Sequence, residues 1–322
     1  GGNVTLSKSI VPSDPNDQSI DLIIYALSSD SKVKGTISLQ GMGDESHSFG
    51  TISLTGGAIT LSQDSSIFAG ETVSFSGDLS LASSISTSGS LNFSGTMNIT
   101  GNTTLQGSSG INISSSITSS VASPSLTLDA GNNPLTISSL GSSANPFGAL
   151  SIKASSLSLG GDVYSSSSIK IDSPITISTD TKITSAGVGG LILTKPLTLA
   201  KGSVAPALTL DATSAGAVDL NSLGTDTAPL GAVSLSGNHV YLSGNIASSA
   251  SIAISGPVML FASSTLRGDT GIILDQDLSP NAGSMDLALK AQSGTVSLKN
   301  LGTDTSPLQN ISIVSAGPIK PG

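Results

Sequence analysis

Leu208-Thr209-Leu210, Val218-Asp219-Leu220, Val233-Ser234-Leu235, Val240-Tyr241-Leu242, Ile252-Ala253-Ile254 and Ile272-Ile273-Leu274 succeed one another through residues 208–274. In each triplet apolar side chains stand two apart, and Gly, Ser, Asn or Pro breaks the run within a few residues. A period of two puts alternate side chains on one face of a strand, so each triplet reads as a short strand with one buried face. No stretch sustains the 3.6-residue period of a helix, and Ser, Thr and Gly are too dense for helical propensity to win. The chain reads as all-β.

A longer repeat decides which all-β architecture. Phe49-Gly50-Thr51-Ile52-Ser53-Leu54 recurs as Phe147-Gly148-Ala149-Leu150-Ser151-Ile152, Leu230-Gly231-Ala232-Val233-Ser234-Leu235 and Leu308-Gln309-Asn310-Ile311-Ser312-Ile313, the first interval being the longest. Leu140-Gly141, Leu223-Gly224 and Leu301-Gly302 stand a fixed short distance before the last three copies. Gly1-Gly2, Ser109-Gly110, Gly189-Gly190 and Thr270-Gly271 mark a third position with a similar spacing, again longest at the first step. The chain therefore divides into repeat units of about 80 residues, approximately 1–109, 110–189, 190–270 and a partial 271–322.

Sandwiches and barrels do not predict such a superperiod; a parallel β-solenoid does, because each coil contacts only its neighbours. Coils of roughly 20 residues stacked about 4.8 Å apart would give four per repeat unit. The expectation is a single continuous solenoid over 1–322 with about sixteen coils, a rod on the order of 75 Å long. The stretch from Phe49 to Gly110 is longer than its counterparts, Phe147 to Gly190 and Leu230 to Gly271, by about one whole coil. The remaining excess falls on Asp14-Pro15-Asn16-Asp17, Ser29-Asp30-Ser31 and Gly43-Asp44-Glu45-Ser46-His47, which read as loop extensions.

Composition limits the function. Charged residues are 10% of the chain and aromatics 3%, with no Trp and no Cys, against about 25% charged in an ordinary domain. The surface must be covered by Ser, Thr, Asn and Gly, while the abundance of Leu, Ile and Val sets the chain apart from disordered sequences. Net charge is −9, and the Lys residues and single Arg267 form no cluster with aromatic partners, so nucleic acid is not an expected partner. Apolar runs such as Leu191–Leu193 and Val258–Ala262 are too short to span a bilayer. The missing Cys excludes disulfides and Cys-based metal sites. A Ser/Thr-rich, low-charge, repetitive chain points to an extracellular location. Without an initiator Met, signal peptide or anchor, it reads as a processed chain or a piece of a larger one.

Catalysis needs converging titratable groups, and His47, His239, Arg267 and the scattered carboxylates do not converge in the sequence. Six Phe, three Tyr and one Arg do not furnish the groove of a polysaccharide-cleaving β-helix. The expectation is no enzyme and no cofactor. A calcium-binding β-roll needs tandem Gly-Gly-x-Gly-x-Asp, which is not present, so no metal is expected. Thr225-Asp226-Thr227 and Thr303-Asp304-Thr305 recur once per repeat unit, before Pro, and read as turns rather than an ice-binding face. Arg267-Gly268-Asp269 is an integrin-type tripeptide at a turn and a candidate adhesion site. Asp14, Asn16, Asp17, Asp44 and Glu45 are candidate loop contacts. Asn-x-Ser/Thr triplets at Asn3, Asn92, Asn98, Asn102, Asn112 and Asn310 follow from composition and are expected to be unmodified.

Pro257-Val258-Met259-Leu260, Ser264-Thr265-Leu266, Gly271-Ile272-Ile273-Leu274, Leu287-Ala288-Leu289 and Thr305-Ser306-Pro307-Leu308 resemble the repeat of large bacterial filamentous-haemagglutinin-like surface proteins. Pro174-Ile175-Thr176-Ile177, Thr181-Lys182-Ile183, Gly190-Leu191-Ile192-Leu193 and Thr227-Ala228-Pro229-Leu230 fit the same pattern. The resemblance implies a secreted, right-handed parallel β-helix serving as a stalk, fibre or adhesin on a bacterial cell surface. Its partners would be further copies of itself, adjoining repeats of a longer chain, or a host receptor or glycan. Neither end of the chain resembles a polar cap, which fits a piece of a long array or head-to-tail stacking into a filament.

Overall fold

A computed structural model of the chain describes residues 2–14, 20–27, 34–63, 65–113, 115–213 and 215–321. Every regular element among them is a strand. They belong to two compact bodies, Gly1–Ser158 and Leu159–Gly322.

In the amino-terminal body three columns of inward-facing side chains run from coil to coil. One passes through Val4, Ile37, Ile59, Leu79, Met97, Ile117 and Leu140. The second holds Ile10, Met42, Ile67, Ile85, Leu105, Leu128 and Ile152. The third holds Leu22, Ile52, Val73, Leu91, Ile111 and Leu135. All these pairings are parallel, and from the second coil onward the column side chains are buried. Two residues on from Val73 and Leu91 in the same strands, Phe75 and Phe93 are ladder partners and stack, ring centroids 5.2 Å apart and planes within 3°.

The carboxy-terminal body repeats the arrangement. Its columns begin at Val163 and continue through Ile183, Leu210, Leu235, Ile254 and Leu274; at Ile169, through Leu191, Val218, Val240, Val258, Leu278 and Leu301; and at Ile175, through Leu197, Leu223, Ile246, Leu266, Leu289 and Ile313. Three parallel strand columns around one aliphatic core are a parallel β-solenoid. Stacking closes the backbone hydrogen bonds between coils, which is why short strands with no regular neighbours along the chain persist.

The coil step is not uniform. It is as short between Val240 and Val258 as between Ile67 and Ile85, a little longer from Ile85 to Leu105, longer again from Leu191 to Val218, and nearly doubled from Val4 to Ile37. Sixteen coils, obtained from a constant step, is therefore not a count that the register supports. Corners vary in length because they face solvent, whereas the columns are fixed by core packing.

The turns between Met42 and Phe49 and between Leu223 and Leu230 share one geometry. Phe68 N–H donates to the Met42 carbonyl (2.9 Å) and Phe49 N–H to the Phe68 carbonyl (3.3 Å); Ala247 N–H donates to Leu223 (2.8 Å) and Leu230 N–H to Ala247 (3.0 Å). The chain leaves the ladder, makes a turn and re-enters beside the same neighbouring residue. Gly43, Gly141, Gly224 and Gly302 open four such turns with φ of 71°, 66°, 65° and 73°. An oxygen of the next side chain then accepts the N–H three residues on: Asp44 from His47 (2.7 Å), Ser142 from Asn145 (3.1 Å), Thr225 from Ala228 (3.0 Å) and Thr303 from Ser306 (2.9 Å). Gly43–His47 is thus the first copy of a turn found four times, not a loop extension peculiar to the first repeat unit.

Within each body the turns mark out coils. From Met42 the chain passes Ile67, Ile85, Leu105 and Leu128 of the same column before reaching the next turn at Leu140, one column short. From Leu223 it passes Ile246, Leu266 and Leu289 before Leu301, again one column short. The longer interval holds one extra coil, as its surplus length predicted. A repeat is not four whole coils, however; it stops a third of a coil early.

Candidate functional site

Arg267 is the penultimate residue of the strand Ser264–Gly268, and its side chain turns back on the tripeptide it begins. Nε donates to Asp269 Oδ1 at 2.9 Å and Nη2 to Asp269 Oδ2 at 3.0 Å, a two-point pairing, while Nη1 donates to the Asp226 carbonyl at 2.8 Å. The Arg267 and Asp269 side chains are 18% and 21% exposed, and Gly268 is buried. A charge-assisted pair of this geometry is among the stronger hydrogen-bonded contacts. The Nη1 bond fastens the corner to the Thr225-Asp226-Thr227 turn, and a receptor reading either charge would have to open the Arg267–Asp269 pair first.

Asp44 and Glu45 are exposed in the first of the four turns. Asp44 Oδ1 accepts from His47 Nδ1 (3.0 Å) and from the Ser46 N–H (2.8 Å). The His47 side-chain bond, followed by the Ser46 N–H, holds the Asp44 carboxyl below its ordinary value of 3.8. Asp14 is exposed; Asn16 and Asp17 lie outside the described residues, as do Pro15 and Ser29-Asp30-Ser31. His47 and His239 lie on separate elements, one in the Asp44 turn and one in the strand His239–Leu242. Thr225 and Thr303 each bond the Thr two residues on, Oγ1 to Oγ1 at 3.3 Å, inside their turns.

The six sequon asparagines all use their amides within the fold. Asn112 Nδ2 donates to Asn92 Oδ1 (2.6 Å), Asn92 to Ser74 (3.4 Å), Asn98 to Ser120 (2.9 Å) and Asn310 to Asp286 (2.8 Å). Asn3 and Asn102 accept backbone N–H groups of Thr36 and Ser125 (3.0 and 2.9 Å). Among the described residues no group of three or more His, Asp or Glu side chains is placed to hold a metal ion.

One gathering of side chains was not foreseen. On the outward face of the Ile169 column, Asp219, Tyr241 and Met259 are ladder neighbours. The His239 and Tyr241 rings stack at 5.7 Å, with planes 21° apart. Phe261 meets Tyr241 edge-on at 5.8 Å. Burial alone pushes the Asp219 carboxyl above its ordinary value. Along the chain Asp219, Tyr241 and Met259 are each a whole coil apart, so only the coil register brings them together.

Among the described residues, no helix is long and apolar enough to cross a membrane. No protein family, curated protein or solved structure matches the chain.

Proposed function

We propose that this chain is a structural segment of an extracellular bacterial surface fibre, lengthened by stacking further parallel coils onto its own. The observation that carries this is the coil-on-coil register within each body: Leu191, Val218 and Val240 are buried one against the next at matching positions of successive coils. Each coil meets its neighbours through parallel ladders, so an array of this kind lengthens by adding coils without changing those already present. The right-handed sense, the secreted location on the cell surface and the kinship with filamentous-haemagglutinin-like repeats are part of this reading, supported by the repeat residues quoted above. So is a non-catalytic role, in which hydrogen-bonded columns transmit load. Negative-stain images of the native assembly should show thin continuous fibres; discrete globular particles would overturn the reading.

A second reading, an adhesin shaft touching a host receptor or glycan, draws on the exposed Asp44 and Glu45 and on Arg267-Gly268-Asp269. Cells should then bind the immobilised chain and lose that binding with Glu45→Lys or Asp269→Ala. Attachment that survives both changes would remove these residues from consideration.

A further inference from the structure

Several outward carboxylates in this fold are taken up by their ladder neighbours. Ser236 donates to Asp211 (2.9 Å), Ser255 to Asp275 (3.0 Å) and Thr194 to Asp172 (2.5 Å). The face carrying Asp219, His239 and Tyr241 differs: its carboxylate, its ring nitrogens and its phenol have no hydrogen-bond or ion-pair partner among the described residues. The apolar part is accessible as well. Phe261 is 46% exposed, and Met259 and Tyr241 are half-buried beside it. Half-buried with nothing donating to it, Asp219 works against folding when ionised, so it contributes nothing to the solenoid that a neutral side chain would not. Ring surface, an unused acceptor and unused ring donors together suit a ligand that is apolar on one side and hydroxylated on its rim.

Charge narrows the choice. Asp219 repels anions. Lys170 stands two ladder steps away on the same face, through Ile192, about 10 Å at the usual strand spacing, and opposes a cationic guest. A neutral polyhydroxylated ring is favoured by both. We propose that this face binds a pyranose of a neutral saccharide, with its C–H side against Tyr241 and Phe261 and its hydroxyls on Asp219 and His239. The proposal does not depend on fibre formation: a chain that fails to stack would still carry the site.

The test is saturation-transfer NMR of the whole chain with the methyl pyranosides of glucose, galactose and mannose, alongside acetyl-arginine amide and tetramethylammonium. At least one pyranoside should bind, with Kd on the order of 1 mM. Tyr241→Ala and Asp219→Asn should each weaken it by about tenfold while melting no lower than the parent chain. If Tyr241→Ala melts early, Phe261→Leu, which keeps the apolar cover and removes the ring, takes its place with the same expected loss. Absence of pyranoside binding, binding unchanged in these variants, or binding of the cations alone would each overturn the proposal.

Discussion

At Gly224 the backbone sits at φ +65°, and a Cβ placed there would approach the Ala247 carbonyl oxygen to 2.5 Å. The left-handed conformation and the close approach both call for Gly. Gly224→Ala should therefore destabilise the protein by roughly 1–3 kcal/mol, read as a shift in urea midpoint. Gly202 makes a control: its φ is +83°, but nothing lies within 4 Å of an added Cβ, so Gly202→Ala should lose only about 1–2 kcal/mol of conformational preference. Carboxyls set the response to acid. The side-chain and backbone bonds of Thr96 lower Asp78, as those of His47 and Ser46 lower Asp44. A carboxyl depressed in the folded state stabilises above its unfolded value, and that contribution disappears as pH falls through the folded one. Calorimetry should show the melting temperature dropping as pH falls below 3.8, the ordinary value for both groups, and dropping less in Asp44→Asn/Asp78→Asn. Asp219 has the opposite sign, because burial raises it; Asp219→Asn should raise the melting temperature at neutral pH.

Strands in this fold are held at their entrances by side chains from the coil before. Asp21 accepts from Thr51 N–H (2.7 Å), Asp162 from Lys182 N–H (2.8 Å) and Asn245 from Thr265 N–H (2.8 Å). Asn245→Ala should cost about 0.5–1.5 kcal/mol, and Asn245→Asp, which keeps the acceptor, much less. Cutting into a column is more severe: Leu210→Ala, at a fully buried site, should lose about 2–5 kcal/mol by denaturant titration. The strands themselves were legible in the sequence because triplets such as Leu208-Thr209-Leu210 declare which side is buried. The first turn was not, since Met42 replaces the Leu of the other copies and Asp44-Glu45 gives it the look of a solvated insertion. The self-pairing of Arg267 and Asp269 was also hidden, because spacing alone does not say that two side chains on either side of a buried Gly turn toward each other. The grouping of Asp219, Tyr241 and Phe261 was not legible in the sequence, because the three stand on different coils and only the ladder brings them together.

Coils that touch only their neighbours can be removed whole. In the amino-terminal body all three columns advance by one and the same step over one stretch: Ile85 to Leu105, Leu91 to Ile111 and Met97 to Ile117. Deleting residues 86–105 joins Ile85 to Gln106 and leaves each surviving inward side chain in its column. That variant should keep a strand-type circular dichroism spectrum and a cooperative melt. Deleting 96–105, half a coil, puts solvent-facing Ser and Thr into the core and should abolish the cooperative transition. A similar melt for the two would contradict a coil-by-coil architecture.

The turns that stop a third of a coil early have a geometric consequence for neighbours. In each body the two polar knobs, at Asp44 and Ser142 or at Thr225 and Thr303, project from different sides of the coil. Two of the three sides thus carry a protrusion that keeps a second copy from lying flat against a bare strand face. Flat sideways packing is obstructed on those two sides, which keeps the strand faces of one molecule from adding to those of the next.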